Sequence, residues 1–142
     1  MVSMARPIPA LALVLLLAPL AACGDDSPDN PTTPPTPISI TEKFEGTLTP
    51  NGGITHQFAV QQAGIVSAKL SALAPDETVT IGLAIGTWNG ASCQQTIPND
   101  KATLNTTVTG SAQQTGQFCV RLYDAAGTLT AATDYAVDVT HF

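Results

Sequence analysis

From Ile38 to Phe142 the chain keeps returning to a two-residue period, and this alternation constrains its fold more than any other feature. Successive side chains of a strand point to opposite faces, so apolar residues at every second position mark one buried face. Helical spacing does not recur over any comparable length. Ile40, Phe44 and Leu48 share a face of a first strand, which closes at Pro50-Asn51-Gly52-Gly53. Ile54, His56, Phe58 and Val60 share a face of a second, ending at Ala63-Gly64. Val66, Ala68, Leu70 and Ala72 mark a third before Ala74-Pro75-Asp76, and Val79, Ile81, Leu83 and Ile85 a fourth. Asn89-Gly90 is a hairpin signal that turns the chain into Ala91–Ile97. Leu104, Thr106 and Val108 mark a sixth strand, Phe118, Val120 and Leu122 a seventh, and Tyr135, Val137 and Val139 an eighth. The expectation is an all-β domain over residues 38–142, an antiparallel β-sandwich of about eight strands. Gly82, Ala84 and Gly86 lie opposite the apolar face of strand four. They admit a close backbone or leave a flat strip beside Trp88.

The amino-terminal residues obey a different rule. Residues 1–22 contain 17 apolar side chains, with Arg6 near the start and an apolar stretch over Ile8–Leu20. That stretch falls short of the about 20 apolar residues a bilayer span needs, and Pro19 would end a helix near its close. It reads as a signal peptide. The following residues, Leu20-Ala21-Ala22-Cys23, resemble the lipobox of bacterial lipoproteins, in which small residues precede an obligatory cysteine. The resemblance implies cleavage before Cys23, a diacylglycerol on its thiol and an acylated amino terminus. Stable anchoring needs more than one acyl chain, which such a modification supplies. In that family Gly24 in place of aspartate favours the outer membrane, and Asp25-Asp26 loosely resemble surface-export signals of some lineages. Residues 24–37, GDDSPDNPTTPPTP, carry five prolines, three aspartates and no apolar side chain, so with Cys23 they read as a tether rather than a folded segment. Fully extended, such proline-rich chain reaches at most roughly 40 Å.

Within the alternating region a second resemblance emerges. Gly46-Thr47-Leu48, Gly52-Gly53, His56-Gln57-Phe58-Ala59-Val60, Ala63-Gly64 and Val66–Leu70 resemble the opening of bacterial pre-peptidase C-terminal domains. Gly116-Gln117-Phe118-Cys119-Val120-Arg121-Leu122 is similar to their G-x-Y-x-V-x-V strand, with Phe118 in place of the usual tyrosine. Tyr135-Ala136-Val137-Asp138-Val139 is similar to their closing strand. The resemblance implies a jelly-roll-like sandwich without catalytic activity, of the kind appended to secreted proteases.

Of the three cysteines, Cys93 and Cys119 remain once Cys23 is assigned to lipid, and an even pair in an exported chain favours a disulfide. Cys119 alternates against Phe118, Val120 and Leu122, so the bridge is expected on an outer face or rim. A nucleophilic hydrolase needs a serine activated by a histidine, and there is no G-x-S-x-G elbow. His56, at the end of an apolar face, and His141, beyond Val139, read as rim residues. Some relatives bind calcium; turn carboxylates suit it, and Asp76, Glu77 and Asp124 are the candidate ligands. Trp88 beside the Asn89-Gly90 tip and outward-facing Tyr123 are the candidate aromatic platforms for a carbohydrate.

From Cys23 onward four basic residues face eleven acidic ones, a charge of −7 that lacks the basic footprint nucleic acid requires. The expected protein is therefore a lipid-anchored component of the bacterial cell envelope, not an enzyme, whose module binds protein or polysaccharide. The alternative is a structural accessory of an envelope complex, or a helper of a neighbouring secreted peptidase. Ligand identity has no sequence signal.

Overall fold

The computed structural model describes residues 36–142, so the signal peptide, Cys23 and most of the tether lie outside the described residues. Eight strands follow in order: β1 (Ile40–Leu48), β2 (Gly53–Val60), β3 (Gly64–Ala74), β4 (Ile81–Trp88), β5 (Cys93–Ala102), β6 (Thr107–Ala112), β7 (Gly116–Tyr123) and β8 (Thr133–His141). They form two four-stranded antiparallel sheets with orders β1-β8-β3-β6 and β2-β7-β4-β5. Most connections pass from one sheet to the other, which is the order of a jelly roll and agrees with the expected architecture.

Alternation explains most of the core. Val66, Ala68, Leu70, Leu83, Val120, Leu122, Val137 and Val139 are buried between the sheets. Fully burying a Val or Leu side chain contributes about 1.5–3 kcal/mol, so a few such residues outweigh any single polar contact in the molecule.

Three local departures have identifiable causes. In β3 the register shifts between Leu70 and Ala72, so Leu73 is buried while Ala72 is exposed. A bulge adds one residue and reverses parity beyond it. The sixth strand begins at Thr107 rather than Leu104 because Thr103–Thr106 turn, with Thr106 N donating to Thr103 O at 2.9 Å. Asn105 adopts a left-handed backbone, φ 69°, and its N–H donates to Leu70 O at 2.8 Å. The fourth strand starts at Ile81, and Val79 packs on the core from the preceding loop.

The small residues of β4 serve close packing. A Cβ at Gly82 would lie 2.5 Å from the Tyr123 ring, and one at Gly86 would collide with the Gln94 carbonyl. Both positions are covered, so no bare strip exists there. Around Gly86 the start of β5 closes over β4 and brings Cys93 to Cys119, Cα to Cα 5.8 Å, in a disulfide. Cys119 is fully buried yet lies outside the inter-sheet core, on the outer face that its parity indicates.

Candidate functional site

The strand pairings sort the loops into two ends. Leu48 pairs with Thr133, Gly53 and Gly82 with Tyr123, and Ile81 with Ala102. Loops 49–52, 75–80, 103–106 and 124–132 therefore gather at one end of the sandwich. Loops 61–63, 89–92 and 113–115 lie at the other, where the chain also enters β1 at Ile40 beside Phe142.

Asp124 organises the first end. Its carboxylate accepts the N–H groups of Asn51 and Thr128, each at 2.9 Å, and of Leu129 at 3.3 Å. Those donors, Asn51 foremost, hold its pKa below the usual carboxylate value. Asn51 takes a left-handed backbone, φ 56°, a conformation that asparagine tolerates better than most residues. One side chain thus ties the β1–β2 turn to the β7–β8 loop.

Beside this junction a groove of about 510 Å³ opens between the end of β5 and the β7–β8 loop. Thr80, Asp100, Lys101, Ala125, Ala126 and Thr128 line it. Small methyl groups give contact area, while two hydroxyls, one carboxylate and one ammonium supply directional polar contacts. Such a mixture suits a polar ligand or a protein loop better than a lipid chain. Its outer wall is continuous with Tyr123, whose hydroxyl donates to Asp100. Burial, then Asp100, raises the Tyr123 pKa to about 12, so the phenol stays protonated and donating through the physiological range. The Arg121 guanidinium stands 5.9 Å from the Tyr123 ring centroid.

The structure separates the two aromatic candidates. Tyr123 lies opposite Gly82, whereas Trp88 is six residues further along β4, opposite Cys93. At about 3.3 Å per residue they stand roughly 20 Å apart. The Tyr123 ring covers Gly82, and Trp88 is half-buried at the end of the sandwich where the chain enters. They do not make one stacking platform.

The calcium candidates Asp76, Glu77 and Asp124 lie in two loops at this same end of the sandwich. Asp76 accepts the N–H of Thr78 at 2.8 Å and its hydroxyl at 2.6 Å, and these donors hold its pKa low. Among the described residues no three His, Cys, Asp or Glu side chains converge as a metal site. Asp76 and Asp124 instead organise their own loops.

The structure corrects the expected rim position of His141 and keeps His56 at the margin, on edge strand β2. His141 is fully buried and faces inward, its Nε2 2.9 Å from Glu42 Oε1 and its ring 5.0 Å from that of Phe58. It continues the inward parity of Tyr135, Val137 and Val139. His56 is half-buried, stacks 5.0 Å from Phe44 and lies 2.7 Å from the Tyr135 hydroxyl through Nε2. Burial holds the His56 pKa below the usual imidazole value and raises that of Tyr135.

No family model and no curated protein sequence matches the chain. Among solved structures it is similar to the Yersinia pseudotuberculosis-derived mitogen, with TM-score 0.57 and 14% identity over 74% of this chain and 88% of that one. It is also similar to PliG from Aeromonas hydrophila, a periplasmic inhibitor of g-type lysozyme, with TM-score 0.49 and 12% identity over 70% of this chain and 83% of that one. At these identities the likeness to the mitogen concerns the fold alone.

Proposed function

We propose that this chain is a lipid-anchored bacterial envelope protein whose PPC-like sandwich is a non-catalytic module binding protein or polysaccharide at the loop end. The observation that carries the reading is the groove of Thr80, Asp100, Lys101 and the β7–β8 loop. It lies at the end of the sandwich opposite the chain's entry into β1 at Ile40. Asp124 stiffens that loop, which lowers the ordering cost of binding. The histidines, the usual general bases, both point into the sandwich and away from the groove. Cysteine usage supports export and anchoring together. The Cys93–Cys119 bridge suits an oxidising compartment and leaves Cys23 as the acceptor for lipid.

The test has two arms. Cys23→Ser should abolish lipid labelling and detergent partitioning; unchanged partitioning contradicts the anchor. Immobilised protein should retain an envelope protein or polysaccharide, and Ala126→Trp, which fills the groove, should lower retention about tenfold or more while Trp88→Ala leaves it intact. Retention indifferent to Ala126→Trp contradicts the site.

A further inference from the structure

The sandwich has two flanks, each made of one edge strand from each sheet, and they are built differently. β5 and β6 form one flank. β5 shifts register twice against β4 and contains Pro98, and β6 has only six residues. Bulges, proline and short length are the usual means by which an edge is kept from pairing with another chain. β1 and β2 form the other flank. β1 pairs with β8 over nine consecutive residues and β2 with β7 over eight, with no shift and no proline. Among the described residues neither has a neighbour on its outer side.

Inward-facing side chains on this flank stay partly exposed. Glu42, Phe44, Ile54 and His56 point between the sheets yet are only half-buried, because no further strand closes over them. A strand added at each edge would cover all four.

We propose that the β1–β2 flank is a homodimer interface, in which a second copy of this chain pairs antiparallel, β1 to β1 and β2 to β2, about one two-fold axis at the level of Phe44 and His56. The stacking of these two rings, centroids 5.0 Å apart, shows that the midpoints of the two edges share a level. One axis running from sheet to sheet therefore serves both edges and continues both sheets, a closed isologous contact.

Charge selects the register. Centred on Phe44, the pairing sets Lys43 of each copy against Glu45 of the other and Thr41 against Thr47. The neighbouring registers that keep inward faces aligned would centre on Lys43 or on Glu45, and each would oppose that charged residue to its own copy. Centred on His56, β2 sets Ile54 against Phe58 and Thr55 against Gln57, apolar inward and polar outward. Lys43 Nζ already lies 2.6 Å from Glu45 Oε1 of its own chain. The pairing would set two such ion pairs side by side with opposite signs facing, a match of β1 to itself that favours a second copy over an unrelated strand. The two chain entries then lie at opposite ends of a nine-residue strand, roughly 30 Å apart.

Sedimentation of the detergent-extracted protein over a micromolar range tests the interface, with melting temperature as the control for folding. Wild type should sediment as a dimer. Lys43→Glu and Glu45→Lys alone should each weaken association about tenfold or more, and the double reversal should restore it. A monomer at every concentration overturns the proposal, as does a dimer indifferent to the single reversals.

Discussion

The two flanks of this sandwich close the same core by opposite means. On the β5–β6 side the seal is apolar and covalent: Ile97 lies against Gly110 so closely that a Cβ there would strike it, and the disulfide ties β5 to β7. On the β1–β2 side the inward positions are polar and aromatic, with His56 on Tyr135, His141 on Glu42, and Phe44 and Phe58 against the imidazoles. The first seal depends on chain entropy and close contact, the second on side-chain hydrogen bonds and ring contacts. The difference teaches that one fold can close one margin with a covalent bridge and the other with polar and aromatic side chains, among them His56, whose burial lowers its pKa.

Breaking the covalent seal should have the largest effect. Replacing both Cys93 and Cys119 by alanine opens a loop with a sequence separation of 26. It should cost roughly 3–4 kcal/mol of stability in urea unfolding. Amide exchange should rise first at the start of β5 and leave β1 and β2 little changed.

On the polar side, Tyr135→Phe removes the partner of His56 Nε2, which is half-buried. Leaving such a group unpaired should cost about 1 kcal/mol. The melting temperature should fall accordingly, with β5 protection intact.

The pH response should be subtler and confined to the polar flank. The folded pKa of His56 lies below its ordinary value of 6.5, so the unfolded chain takes up its proton first. This contribution to stability is complete above pH 6.5 and is lost as pH falls through the unfolded value toward the folded one. His56→Gln should flatten that part of the stability profile. An unchanged slope between pH 7 and 5, about the titration range of an imidazole, would show that another group sets it.

Which of these features the sequence reveals depends on how far apart in the chain their causes lie. Alternation identifies β2, β7 and β8 and their inward faces because each is an unbroken strand. It fails at Ala72, where β3 shifts register against β8, a strand far along the chain. His141 was legible in principle, since it continues the parity of Val137 and Val139, but its place at the chain's end suggests a rim. Cys119 shows the reverse: its outward parity indicates the bridge's face before any pairing is known. The groove left no local signal. Lys101 and Ala126 meet only because a shifted β5 ends beside the β7–β8 loop, and nothing in either segment encodes the other. Tyr123 is conspicuous as an outward aromatic, yet its ring is spent on Gly82 and its hydroxyl on Asp100, contacts that only the sheet register creates.

The claim that the loop end carries the function can be tested in intact cells by placing a photo-crosslinking residue at Ala126, in the groove, and another at Gln114, at the opposite end of the sandwich. The account predicts a discrete adduct with an envelope protein or polysaccharide from position 126 and none from position 114. Equal capture from both positions, or capture from position 114 alone, would contradict it.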